Sequence, residues 1–194
     1  MKWMASVESE QLTMAGDDLF SIAESVPIVP TDPQLTENLL STVRAGKTMV
    51  AELLLDRIDV NSRSSRDGRT ALSVAAEHGN ANMTKMLLDH GAEVDMAQFS
   101  RNVSEGLGPD WIGGRTPLIW AASRSHSHIV EILLNHGANP NKANSAGRFP
   151  LHFCCMRDDR KSAMILLEHG ADVNCRSLHH VCSASHYGHS YSSL

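Results

Sequence analysis

The tripeptide His-Gly-Ala occurs three times, starting at His90, His136 and His169. A second marker, Gly-Arg, starts at Gly68, Gly114 and Gly147. The step from His136 to His169 equals the step from Gly114 to Gly147, and the longer step from His90 to His136 equals that from Gly68 to Gly114. Two independent markers sharing one pair of offsets define a unit of about 33 residues, lengthened once by an insertion. A period of this size overrides local readings of secondary structure. A unit so short cannot bury its own apolar face, so copies must stack, and about three are needed for stability.

The unit reads as two short helices and a turn. In the middle copy Thr116 is a good N-cap, and Pro117 sits at the first helical position, where its missing N–H costs nothing. Ala121 and Ala122 are small enough to let the next copy approach closely. Ile129, Val130, Ile132, Leu133 and Leu134 give the second helix an apolar face at helical spacing, and Gly137 ends it. The periodicity predicts Leu87, Leu133 and Leu166 as core residues of the second helices. Asn139-Pro140-Asn141 opens the extended connection to the next copy.

The segments DGRTALSVAAEHGNANMTKMLLDHGAEVD, GRTPLIWAASRSHSHIVEILLNHGANPN and GRFPLHFCCMRDDRKSAMILLEHGADVN resemble ankyrin repeats. A weaker copy precedes them. Gly46 stands one unit before Gly79, and Leu53-Leu54-Leu55 followed by Asp59-Val60-Asn61 resembles a second helix and its exit, without the helix-ending Gly. The resemblance implies an all-α ankyrin-repeat solenoid over residues 35–178: a degenerate copy at 35–66, then 67–99, 114–146 and 147–178, with the insertion within about 96–112. It also implies projecting hairpin fingers and a concave groove. Departures from the family pattern are Phe149 in place of the capping Thr, Ser125 and Asp158 in place of the inter-helix Gly, and Arg160 and Ser162 on the last second helix. The last two are a partial cap signature, since a terminal repeat needs a more polar outer face.

Charge narrows the function classes. Residues 1–34 set Lys2 against Glu8, Glu10, Asp17, Asp18, Glu24 and Asp32, while the rest of the chain carries cations and anions in equal number. The repeats therefore lack the electrostatic driver of nucleic-acid binding. Residues 1–34 are expected to be acidic and disordered, with Pro27, Pro30 and Pro33 marking an extended approach to the repeats. Residues 179–194 form a His/Ser-rich tail. There is no signal-peptide h-region and no run of about 20 apolar residues, so no membrane partner is expected. The four cysteines, at 154, 155, 175 and 182, form no disulfide framework, which favours a reducing compartment, cytoplasmic or nuclear.

No catalytic residue, metal or cofactor is expected. Ala45-Gly46-Lys47-Thr48 ends like a phosphate-binding loop, but Ser41 stands where that loop needs Gly. Cys154 and Cys155 occupy the Ala-Ala positions of an inner helix and read as small buried hydrophobes. Cys175, His179, His180, Cys182, His186 and His189 are zinc-ligand types without a recognised ligand frame.

The expected partner is a protein, bound by a monomeric array. Val74, Trp120 and Phe153 share one repeat position, which the resemblance places toward the concave face; their alternative role is packing between inner helices. Arg69, Arg115 and Arg148 form a second stripe at the finger bases, for binding or for structural contacts near the turns. The insertion, Met96–Ile112, carries Phe99 and Trp111 and reads either as a specificity loop or as a tolerated surface loop. Asn61, Asn141 and Asn174 sit at repeat exits, where asparaginyl hydroxylases act on the ankyrin family. The chain thus reads as a non-catalytic protein-interaction module using the groove and the long finger. The alternatives are a truncated recognition region of a larger protein, such as a ligase adaptor or signalling ATPase, and, more remotely, a metal protein acting through its tail.

Overall fold

A computed structural model describes residues 33–99 and 113–175 of the chain. Eight helices occur among them: α1 Pro33–Arg44, α2 Thr48–Leu55, α3 Ala71–His78, α4 Ala81–Asp89, α5 Pro117–Ser123, α6 Ser127–Asn135, α7 Pro150–Arg157 and α8 Arg160–Glu168. They pair as four helix–turn–helix units, the first being the degenerate copy. Its α1 begins at Pro33, within the segment read as the approach to the repeats. Proline is tolerated in a first helical turn, where its N–H has no partner to lose.

The helix ends are set locally. The Thr116 hydroxyl accepts from the Ile119 amide at 3.3 Å, and Thr70 caps α3 by accepting from Ser73 at 3.2 Å. Phe149 has no side-chain acceptor, and the cap there runs backwards: its own amide donates to His152 Nδ1 at 3.2 Å. Between the helices of a pair the backbone turns left-handed. Gly46 and Gly79 adopt φ of +68° and +70° there. Ser125 and Asp158 occupy the same place with φ of +59° and +52°. Their substitution for Gly keeps the turn and stores strain, since side-chain-bearing residues rarely adopt this conformation.

The His-Gly-Ala marker also has a local cause. His90, His136 and His169 each place Nδ1 within 2.9 Å of the carbonyl four residues back, closing the last turn of the second helix. The following Gly91, Gly137 and Gly170 have φ between +81° and +85°. The imidazole thus adds a second bond to a carbonyl that the backbone N–H of the same histidine already reaches, and so reinforces the last turn.

The first helices stack in the order α1, α3, α5, α7, and the second helices in the order α2, α4, α6, α8. Between them lies one continuous core. Leu87, Leu133 and Leu166 are fully buried, as are Ala121, Ala122 and Cys154. No helix among the described residues is long and apolar enough to cross a membrane.

Candidate interaction face

The two stripes read from the sequence form one structure. Trp120 in α5 is 6% exposed, with the Arg69 guanidinium 4.1 Å from its ring centroid and the Arg115 guanidinium 4.6 Å from it. Arg115 also lies 5.3 Å from the Phe153 ring. Arg69, Trp120, Arg115 and Phe153 therefore alternate cation and ring across three consecutive repeats. Each arginine precedes the first helix of its own repeat, and its side chain is long enough to reach the ring beside it. Val74 and Phe153 are buried like Trp120. The aromatic stripe is thus packed beneath guanidinium groups rather than laid open. Inside this stack the Trp120 Nε1–H is buried and has no hydrogen-bond acceptor among the described residues.

The arginines differ in their neutralisation. Arg69 pairs with Asp67 at 3.1 Å and with Glu77. Glu77 also accepts from Arg124 at 2.7 Å, which ties the second repeat to the third. Burial alone would raise the Glu77 pKa, but the Arg124 hydrogen bond and the charges of Arg69 and Arg124 outweigh it and lower the value. Arg148, half-buried, makes no ion pair among the described residues.

The fingers project at the bases of this stack. In the first, the Ser64 amide donates to Arg69 O at 2.9 Å; in the third, the Asn144 amide donates to Arg148 O at 2.9 Å. In the long finger, Gln98 N donates to Arg115 O at 3.1 Å and Gly114 N returns to Gln98 O at 2.9 Å. The finger base is therefore closed in the same way, and the extra residues fall between Gln98 and Gly114. Phe99 folds back: its ring occupies the space over Gly68, where a Cβ would meet it at 2.5 Å, and Arg63 lies 5.6 Å from the ring centroid. It remains 41% exposed. Trp111 lies outside the described residues, as do most of the insertion and the zinc-ligand types at 179, 180, 182, 186 and 189. Of that group Cys175 is described: its Sγ is buried 3.7 Å from His152 Nδ1, and burial, with Asp172 and Cys155 nearby, pushes its pKa up to about 11. Burial likewise raises that of Cys154. Neither thiol is primed as a nucleophile at neutral pH.

Two of the exit asparagines are structural bridges. Asn61 accepts from Glu93 N at 2.8 Å and donates to Gly91 O, while Asn141 accepts from Asp172 N at 2.8 Å and donates to Gly170 O at 2.9 Å. Asp95 fills the same place between them and accepts from Asn139 N at 3.1 Å. A sequence reading that seeks only Asn at the exits passes over Asp95; the Val94-Asp95 exit, matching Val60-Asn61, is the signal that finds it. The Asn174 backbone N donates to Asp172 Oδ1 at 2.8 Å, while its side-chain amide makes no hydrogen bond among the described residues.

Comparison with known proteins agrees with this architecture. A family model described as ankyrin repeats (3 copies) matches residues 28–98 and 100–177. A fowlpox virus (strain NVSL) protein named as an ankyrin repeat protein is 34% identical over 70 residues, which is 36% of this chain. The match spans 10% of the length of that relative.

Proposed function

The chain belongs to the ankyrin repeat family, whose members generally act as protein–protein interaction modules, and from that premise we propose that it is a non-catalytic module that grips a partner protein along the cation–aromatic stack and the neighbouring long finger. One observation carries the reading: Arg69, Trp120, Arg115 and Phe153 form a pre-assembled row across three repeats. Guanidinium groups already held against rings lose little freedom when a partner's carboxylates or carbonyls arrive. Arg148 extends the row with a cation that carries no ion pair among the described residues. The buried Trp120 ring is the platform that holds Arg69 and Arg115 in place for a partner.

The test compares partners captured by wild type, by Arg115→Glu/Arg148→Glu and by a chain with residues 100–112 excised. All three should melt cooperatively, with the captured set lost for the charge reversal and altered for the shortened finger. An unchanged set in both variants defeats the reading. Asn174 is the proposed hydroxylation acceptor, because the amides of Asn61 and Asn141 are engaged. Mass spectrometry of native protein showing only unmodified Asn174 peptide would count against it. A second reading, a recognition region working within a larger chain, is favoured by the small share of the fowlpox virus protein that matches. Detection of the native polypeptide at a mass well above 21.2 kDa supports it, and detection at that mass defeats it.

A further inference from the structure

The four outer helices present the same positions to different neighbours. Met83 in α4, Ile129 in α6 and Ser162 in α8 occupy one repeat position and are fully buried, so Ser162 is no part of the polar outer face that its type suggested. Val50 holds that position in α2 and is 45% exposed. The position is buried wherever an outer helix precedes it, so it faces the preceding repeat. One turn further on, Leu53 is 67% exposed, while its counterparts Met86, Ile132 and Ile165 are partly buried. Met49, at 75% exposed, extends the same side. Within α2 only Ala51 is buried. A terminal helix that faced water would carry polar residues there, and α2 carries Met, Val and Leu instead.

We propose that residues 17–26 of this chain form the helix that covers α2, taking the place of a preceding outer helix. Leu19, Ile22, Ala23 and Val26 recur at i, i+3, i+4 and i+7, and Pro27 ends the pattern. Asp17 and Asp18 stand in its first turn, where carboxylates favour a helix N-terminus. The tether suffices: residues 27–32 reach about 20 Å when extended, and packed helices lie about 8–10 Å apart. Direction follows from the stacking pattern. α1 and α2 form a hairpin, so Pro33 lies toward the C-terminal end of α2. A segment that takes the place of an outer helix runs parallel to α2, as successive outer helices do, and then ends on the Pro33 side with the shortest span for the tether. In that orientation Asp17 and Asp18 come over the α1–α2 turn, where Arg44 and Lys47 are exposed. Apolar spacing, tether and charge agree on one occupant. The proposal is independent of the cation–aromatic stack, which lies on the first helices and finger bases.

Hydrogen exchange on the full chain tests it with three proteins: wild type, Leu19→Asp/Ile22→Asp and Leu53→Asp. In wild type, residues 17–26 should be protected. The double variant should lower protection of residues 48–55 by roughly tenfold or more, with 127–135 and 160–168 unchanged. Leu53→Asp, at an exposed position, should release 17–26 by a similar factor. Free exchange of 17–26 in wild type, or protection of 48–55 indifferent to the double variant, overturns the proposal. So does sedimentation showing a dimer whose formation protects 48–55, since the occupant would then be a second copy.

Discussion

The first and third repeats share a backbone and differ in almost everything that backbone is used for. Both are helix pairs joined through a left-handed residue, Gly46 in one and Ser125 in the other. Ile129 is fully buried in α6, while Val50 at the same place in α2 is 45% exposed. Trp120 lies between two guanidinium groups in α5, and the matching residue of α1 is the exposed Ser41. The difference teaches that a repeat specifies its helices by itself but acquires its core and its binding surface from its neighbours. In such an array stability is a sum of unit and interface contributions.

The strongest way to break this comparison is to delete the same methyl groups in both repeats. Leu133→Ala, at a fully buried site, should cost about 2–5 kcal/mol in a denaturant melt. Leu54→Ala, at the matching but half-buried site of α2, should cost well under half of that. Equal losses would mean that the first repeat is as completely packed as the third.

The inter-helix turns offer a second contrast, with opposite signs expected at equivalent places. Gly79 has φ +70°, and a Cβ there would meet the His126 ring at 2.8 Å. Gly79→Ala should therefore destabilise by about 1–3 kcal/mol. Asp158→Gly, where φ is +52° and the side chain is exposed, should stabilise by up to about 1 kcal/mol by relieving strain. Thermal midpoints moving in the same direction would remove the strain argument.

The cation–aromatic row sharpens the comparison further. Arg115, between two rings, should lose about 0.5–2 kcal/mol on substitution by Ala. Arg148→Ala should change stability by about 0.5 kcal/mol or less, as surface substitutions usually do. A chemical-denaturation series finding the two equal would show that the stack contributes no cohesion of its own.

The smallest effect concerns acid. Glu77 has a folded pKa below its ordinary value of 4.5. A depressed folded pKa stabilises the protein above the unfolded value, and the contribution is lost as pH falls through the folded one. Wild type should therefore lose stability below about pH 4.5 more steeply than Glu77→Gln, measured by denaturant melts between pH 3 and 6. Parallel pH profiles would show that the Arg69–Glu77–Arg124 bridge is uncoupled from folding.

Much of the fold was legible in the residues. Thr116, Pro117 and Gly137 announce helix ends through local chemistry that needs no tertiary context, and the apolar spacing marked Leu133 as core. The candidate face was legible only as two separate stripes. Spacing assigns Trp120 to a helix face but is blind to a guanidinium reaching across from the preceding repeat, so the burial of the ring under Arg69 and Arg115 did not show. Phe99 read only as a residue of the inserted loop because its partner, Gly68, lies a whole helix pair earlier in the chain, in the neighbouring finger. Leu53-Leu54-Leu55 read as an ordinary second helix because a sequence pattern shows which residues are apolar, not which neighbour is present to cover them.

The central claim, that recognition runs along the inner row and not over the outer helices, is tested most directly by site-specific photo-crosslinking. One full-length protein would carry the crosslinker at Ala146, in the third finger beside Arg148, and another at the exposed Lys161 of α8. The account predicts a discrete adduct with a partner protein from position 146, abolished by Arg115→Glu, and none from position 161. Adducts from position 161 alone, or an adduct from position 146 indifferent to Arg115→Glu, would contradict it.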